Sequence, residues 1–241
     1  MGQELLQLLP EYQMSCAYIC TKEFSHPSIP TSTSLDSAPW DQIDLCIDFS
    51  HADGLKERLT TIAAHKTALV LGTTGWDAER DDILAILEES HTPAVWGSNF
   101  SIGMYLFTQI LSKASSLLSG FPEFDIALLE AHHKAKKDAP SGTLLSLRDE
   151  VLAHKTQTRP FHSTHEPTPE NGMDIATVRV GHVPGTHMAW LDGPEESIQL
   201  THSVRNRRTF ARGALTAARL LQQHEGIWHI HELLAHHLYR S

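Results

Sequence analysis

The apolar positions of this chain first form short runs separated by amphipathic stretches. Residues 15–20, 44–49, 68–71 and 94–96 are brief apolar runs of the kind buried strands make. Between them, residues 53–65 and 77–89 place apolar side chains at helical spacing, with Ile83, Leu84 and Leu87 on one face. A leucine-rich helix is predicted over residues 2–9, stopped at Pro10, and Ser, Thr and Pro mark a loop over 25–39. This alternation predicts a parallel sheet with helices on its faces.

After a long helix over 102–118 the pattern changes. Strands are predicted at 125–129, 175–180, 186–191 and 197–202, with one helix over 141–153 and a polar loop over 156–172. That arrangement describes an open mixed sheet, mostly antiparallel, covered by a helix. Helices over 210–223 and 230–238 close the chain.

Composition narrows the field. The 241 residues are 41% hydrophobic and 20% charged, ordinary for a soluble protein with one or two cores. A net charge of −10 with no long basic run argues against nucleic acid. No apolar stretch reaches the length of a membrane span, and the N-terminus shows no signal-peptide pattern. Cys16, Cys20 and Cys46 make no disulfide framework and read as reduced core thiols of a cytoplasmic protein.

Candidate chemistry concentrates in Glu130-Ala-His-His-Lys-Ala-Lys-Lys-Asp-Ala-Pro-Ser-Gly-Thr143. Two histidines and three lysines are expected at a strand end. Ser141-Gly142-Thr143 is expected at a helix start, with Pro140 in its first turn, and helix N-termini bind anions. The stretch suits a small, multiply negative substrate that also receives a proton. Three further loops are expected at strand carboxyl ends, where doubly wound sheets bind ligands: Phe49-Ser50, Gly72-Thr73-Thr74-Gly75 and Ser98-Asn99-Phe100. Taken alone, they read rather as ordinary βα turns. Lys22 either meets the 2′-phosphate of NADP or is simply solvated, and one arginine of Arg205, Arg207 and Arg208 either forks onto a carboxylate or belongs to a basic turn. No metal is expected: the lysines beside His132-His133 repel a cation, and the histidines from His229 to His237 read as surface or interface residues.

Together these residues resemble the dihydrodipicolinate reductase family. Glu130–Thr143 carries the likeness most specifically, supported by Asp48-Phe49-Ser50, Gly72–Gly75, Asn99-Phe100-Ser101 and Thr209-Phe-Ala-x-Gly213. The resemblance implies a Rossmann-like dinucleotide-binding domain (residues 1–101 and 209–241) and an α+β substrate-binding and oligomerisation domain (102–208), assembled as a homotetramer. It implies His132 as proton donor with Lys136 beside it, and His133, Lys136, Ser141, Gly142, Thr143 and Arg207 against a small dicarboxylate. Gly2, Lys22, Phe49, Ser50, Gly72, Thr73, Thr74, Ser98, Asn99 and Phe100 fall at positions implied for NADH or NADPH. The implied reaction is NAD(P)H-dependent reduction of 4-hydroxy-tetrahydrodipicolinate in diaminopimelate and lysine biosynthesis. The family opens with a strand and G-x-x-G-x-M-G, of which Met1-Gly2 matches only the last two residues. The dinucleotide domain is therefore expected to be N-terminally incomplete, starting at an internal methionine. Two alternatives stand beside this reading: a different Rossmann-type oxidoreductase, and a cofactor-deficient homologue that binds a metabolite or partner.

Overall fold

The computed structural model describes residues 1–154, 161–162 and 173–240. In chain order the elements are α1 (Gly2–Leu8), β1 (Ile19–Cys20), β2 (Thr31–Ser32), β3 (Leu45–Asp48), α2 (Leu55–Ala64), β4 (Ala68–Leu71), α3 (Arg80–Ser90), β5 (Ala94–Trp96), α4 (Ile102–Leu118), β6 (Asp125–His132), α5 (Gly142–Ala153), β7 (Phe161–His162), β8 (Met173–Arg179), β9 (Thr186–Asp192), β10 (Ser197–Ser203), α6 (Arg208–Leu221), β11 (Ile227–His229) and α7 (Ile230–Arg240). They divide into two compact units, Met1–Phe100 with Arg208–Ser241, and Ser101–Arg207.

The first unit holds a parallel sheet in the order β11-β5-β4-β3. Leu69 and Leu71 of β4 share a core with Leu55, Leu59 and Ile62 of α2 and Ile83 and Leu87 of α3. Strand alternation turns Val70 the other way, and α6 lies against β4 and β5 with α1 packed on α6. The expected strand over 15–20 shrinks to Ile19–Cys20 and stays out of this sheet, pairing with Thr31–Ser32 inside the expected loop. An apolar run becomes a strand only where a neighbour completes its ladder. Nearby, the Tyr18 hydroxyl instead donates to the Ser34 carbonyl (2.7 Å). β11 adds a strand that the apolar pattern does not predict: three residues after a left-handed Gly226 (φ +83°) are too few to show a period.

The second unit is built on a mixed open sheet in the order β10-β9-β6-β8-β7. Only half of its joints are antiparallel, since β6–β8 and β7–β8 run parallel. Two helices cover one face, not one. Met104, Phe107 and Leu111 of α4 join Leu144, Leu147 and Val151 of α5 against Ile126, Leu128, Ile175, Ala189 and Leu191. β6 is longer than expected and runs through His132, so the alternating face Ile126–Leu128 continues into Glu130 and His132, both buried. The expected polar loop 156–172 lies outside the described residues, apart from the backbone of Phe161–His162, which pairs with β8.

Candidate active site

Glu130 is fully buried, a position a carboxylate occupies only when its oxygens are satisfied. The Ser141 N–H donates to Oε1 (3.1 Å) and the Ser141 hydroxyl donates to Oε2. Arg179, from the end of β8, donates through Nη2 to Oε1 (2.9 Å) and also to the Asp138 carbonyl. Burial pushes the Glu130 pKa up, but the donors from Ser141 and Arg179 outweigh it and hold the group below its ordinary value. Ser141 is also the N-cap of α5, accepting from the Leu144 N–H (3.2 Å), so one residue ties the carboxylate to the helix start. Pro140 therefore lies just outside the helix, before its cap, and not in the first turn.

His132 Nδ1 lies 3.5 Å from Glu130 Oε2, and His187 Nε2 lies 3.7 Å from the same oxygen. The two rings meet edge-on at 5.3 Å. Burial lowers the His132 pKa; Glu130 pulls it back up only in part, and Lys136 and Arg179 lower it further. His187 falls to about 4, driven by burial and then by His132. Glu130, His132 and His187 bring potential ligand atoms within 4.8 Å of one another. Three hydrogen bonds already engage the carboxylate, and Arg179 and Lys136 add positive charge, which works against a cation.

Around this buried core sit Lys136, His133 and the Ser141–Thr143 helix start. Lys136 Nζ pairs with Asp138 at 2.9 Å. His133 and Thr143 are half-buried, and Gly142 is exposed at the first position of α5, where an added Cβ would meet nothing within 4 Å. Ser141 is brought to the same place, with its hydroxyl and N–H directed at Glu130. Arg205 and Arg207 are exposed; Arg208, in the first unit, reaches Glu4 (3.2 Å) and Gln7 (2.6 Å) on α1.

In the first unit the expected loops follow β3, β4 and β5, at neighbouring carboxyl ends of one parallel sheet. Asp48 knits two of them together. Its Oδ1 accepts from the Ser50 N–H (2.8 Å), the Ser50 hydroxyl (2.5 Å) and the Thr73 hydroxyl (2.9 Å), while Oδ2 accepts from Arg58 Nε (3.0 Å). Ser50 and Thr73 thus spend their hydroxyls internally. The Phe49 ring takes the space a side chain at residue 72 would need: a Cβ on Gly72 would lie 2.2 Å from it. Phe49 also meets Phe100 edge-on at 5.6 Å. Thr74 and Ser98 stay exposed at the loop tips, and Asn99 is half-buried. An aromatic face, seated over Gly72, and outward hydroxyls fit the nicotinamide–ribose end of a dinucleotide. Gly2 lies exposed at the start of the seven-residue α1, and Lys22 is exposed. The C-terminal histidines depart from a simple surface reading: His229 packs edge-on against Trp96 at 4.7 Å, and His236 lies 3.0 Å from His224.

Two family descriptions match consecutive parts of this chain: dihydrodipicolinate reductase, N-terminus, over residues 1–100, and dihydrodipicolinate reductase, C-terminus, over residues 103–234. The chain belongs to the dihydrodipicolinate reductase family. A 4-hydroxy-tetrahydrodipicolinate reductase of Xylella fastidiosa (strain M23) is 34% identical over 224 residues, spanning 91% of this chain and 87% of the relative. One from Methanoregula boonei is 35% identical over 195 residues, spanning 79% and 74%. A solved dipicolinate-bound dihydrodipicolinate reductase from Paenisporosarcina sp. TG-14 superposes with a TM-score of 0.76 at 21% identity, covering 95% of this chain and 92% of that one. A solved C. glutamicum DAP dehydrogenase shares the fold more distantly, with a TM-score of 0.52 at 9% identity.

Four polar groups carry no assignment from the sequence: Glu130, Arg179 and His187 in the second unit, and Asp48 in the first. Glu130 and Asp48 stand inside quoted motifs, and the alternation Ile126-x-Leu128-x-Glu130-x-His132 already marks a carboxylate facing inward. Arg179 and His187 reach the site only through register, His132 opposite Arg179 and Glu130 opposite His187. Nothing local in the sequence announces that pairing.

Proposed function

We propose that this chain reduces 4-hydroxy-tetrahydrodipicolinate to tetrahydrodipicolinate, with NADH or NADPH as reductant. Family membership supports the reaction, and the observation that carries it to these residues is the buried Glu130–His132 pair beside Lys136 at the open start of α5. The substrate carries two carboxylates and gives up water as one unsaturated carbon is reduced. His132 holds the proton that the substrate receives; a histidine exchanges it near working pH. Lys136 stabilises negative charge that develops on the substrate. Its partner Asp138 is exposed, and such pairs are worth about 0–1 kcal/mol, so a substrate carboxylate displaces Asp138 at little cost. Gly142 and Thr143 offer the helix start, and His133 and Arg207 complete the substrate contacts. When bound, the reduced nicotinamide supplies the electron pair, and Phe49, Gly72, Thr74 and the Ser98–Phe100 loop hold it.

The assembly is a homotetramer formed through the second unit. On the sheet face opposite α4 and α5, Val178 and Trp190 are 42% and 47% exposed, beside half-buried Leu129 and Met188. An apolar sheet face of this kind is what a second copy covers. The free thiols Cys16, Cys20 and Cys46 fit a reducing cytoplasm, and no helix among the described residues is long and apolar enough to cross a membrane.

The test couples the purified chain to a dihydrodipicolinate synthase reaction and follows NAD(P)H oxidation. Oxidation that requires the synthase product is expected, and His132→Gln lowers kcat by about 100-fold or more. If no oxidation occurs the reaction is wrong; if His132→Gln keeps its kcat, the donor is another group.

A further inference from the structure

We propose that Glu130 is a positioning residue for the reduction. It holds the imidazole of His132 in the tautomer protonated at Nδ1, so that the transferred proton leaves from Nε2 toward the space that Gly185 keeps open. The proposal rests on His132 being the proton donor.

The strand itself sets up the pair. Residues two apart on a strand share a face, and β6 puts Glu130 and His132 on the face that packs inward. Glu130 is fixed from three directions by Ser141 N–H, Ser141 hydroxyl and Arg179, so its Oε2 is a stationary acceptor. His132 Nδ1 is buried, makes no hydrogen bond among the described residues, and lies 3.5 Å from that oxygen. Catalytic hydrogen bonds in ligand-free structures are commonly this long and tighten when substrate binds. A buried ring nitrogen beside an ionised carboxylate is stable as N–H, whereas a lone pair there would face negative charge.

The other nitrogen has a different outlook. A Cβ on Gly185 would lie 3.2 Å from His132 Nε2. Gly185 is itself buried, just before β9, so its missing side chain leaves room in front of Nε2. The groups facing the imidazole are Glu130 on its own strand, His187 on β9, Arg179 on β8, and Lys136 and Asp138 on the loop after β6. Of these, His187 also lies near Oε2, at 3.7 Å, and stays neutral because its pKa has dropped to about 4. Glu130 is therefore the one buried negative charge against the ring. In the transfer, the Nε2–H bond breaks, the electron pair stays on Nε2, the substrate carbon or its leaving hydroxyl takes the proton, and solvent restores it. Nδ1–H remains on Glu130 throughout.

A purely structural Glu130, serving only to tie α5 to β8, makes different predictions. Nitrogen NMR of histidine in the intact protein, with His132 assigned from the His132→Gln spectrum, reads the tautomer directly. Neutral His132 protonated at Nδ1 is expected; protonation at Nε2 overturns the proposal. Glu130→Gln is expected to lower kcat by about 100-fold, to change the substrate KM by less than about threefold, and to move the alkaline limb of the pH profile to lower pH. A kcat loss with neither a pH displacement nor a change in tautomer overturns it. Should Glu130→Gln fail to fold, the wild-type tautomer alone decides. An unchanged kcat in His132→Gln would sink the donor assignment, while the tautomer would still report separately on Glu130.

Discussion

Replacing Gly213 with alanine sets two effects of opposite sign against each other. In an unobstructed helix interior glycine is about 1 kcal/mol worse than alanine, so the substitution should stabilise α6. The surrounding positions suggest the same, since Ala211, Ala214, Ala217 and Ala218 are all fully buried. Yet a Cβ on Gly213 would lie 1.6 Å from the Phe100 carbonyl oxygen and 2.7 Å from its carbon. Ordinary contact begins near 3.4 Å, so about 1.8 Å of movement (3.4 − 1.6) is needed, and the obstacle is backbone. No rotamer change relieves it. Forced overpacking costs about 1–3 kcal/mol where side chains can give, and more where they cannot. Sterics therefore win, for a net loss of about 2–4 kcal/mol and a drop in thermal midpoint of roughly 5–15 °C for a chain of this size. The assay is thermal and urea unfolding of Gly213→Ala beside Gly142→Ala, whose Cβ meets nothing and whose stability should stay near wild type. The cofactor KM of Gly213→Ala should also rise, because relief displaces Phe100 and the loop it ends. A Gly213→Ala protein as stable as wild type would refute the reasoning.

The sheet face and the buried histidine give two further expectations. Trp190→Asp places a charge at a 47%-exposed position of the apolar face and should reduce the proposed tetramer to smaller species in analytical ultracentrifugation, leaving each chain folded; an unchanged sedimentation profile would move the interface elsewhere. His187 titrates near 4 in the folded protein and near 6.5 when unfolded, so its contribution is complete above about pH 6.5 and is lost as pH falls through 4. The difference in unfolding free energy between wild type and His187→Gln should shrink by about 3 kcal/mol across that window. A difference that does not vary with pH would show that His187 is not buried neutral.

The residues show which parts of this molecule a sequence can reveal. Runs such as Ala68–Leu71 and Ala94–Trp96 are strands in the sequence and in the structure alike, because their side chains are buried on both faces and leave no polar ambiguity. The start of α5 near Ser141–Thr143 is legible for a similarly local reason, the apolar helical pattern from Leu144 onward, but its cap is not: Pro140 is expected in the first turn, and Ser141 takes the N-cap. Ile19–Cys20 failed because hydrophobicity reports burial and says nothing about which strand supplies the ladder. The site divides along the same line. His132, Lys136 and Gly142 stand in one continuous motif. Arg179 and His187 stand 47 and 55 residues beyond His132 and converge on Glu130 through the pairing of β6 with β8 and β9. A one-residue slip of β8 would turn Arg179 to the outer face and leave Glu130 without its guanidinium. The electrostatics of the proposed proton donor are thus a property of sheet register. The motif supplies the groups, and the distant strands decide the charge they feel.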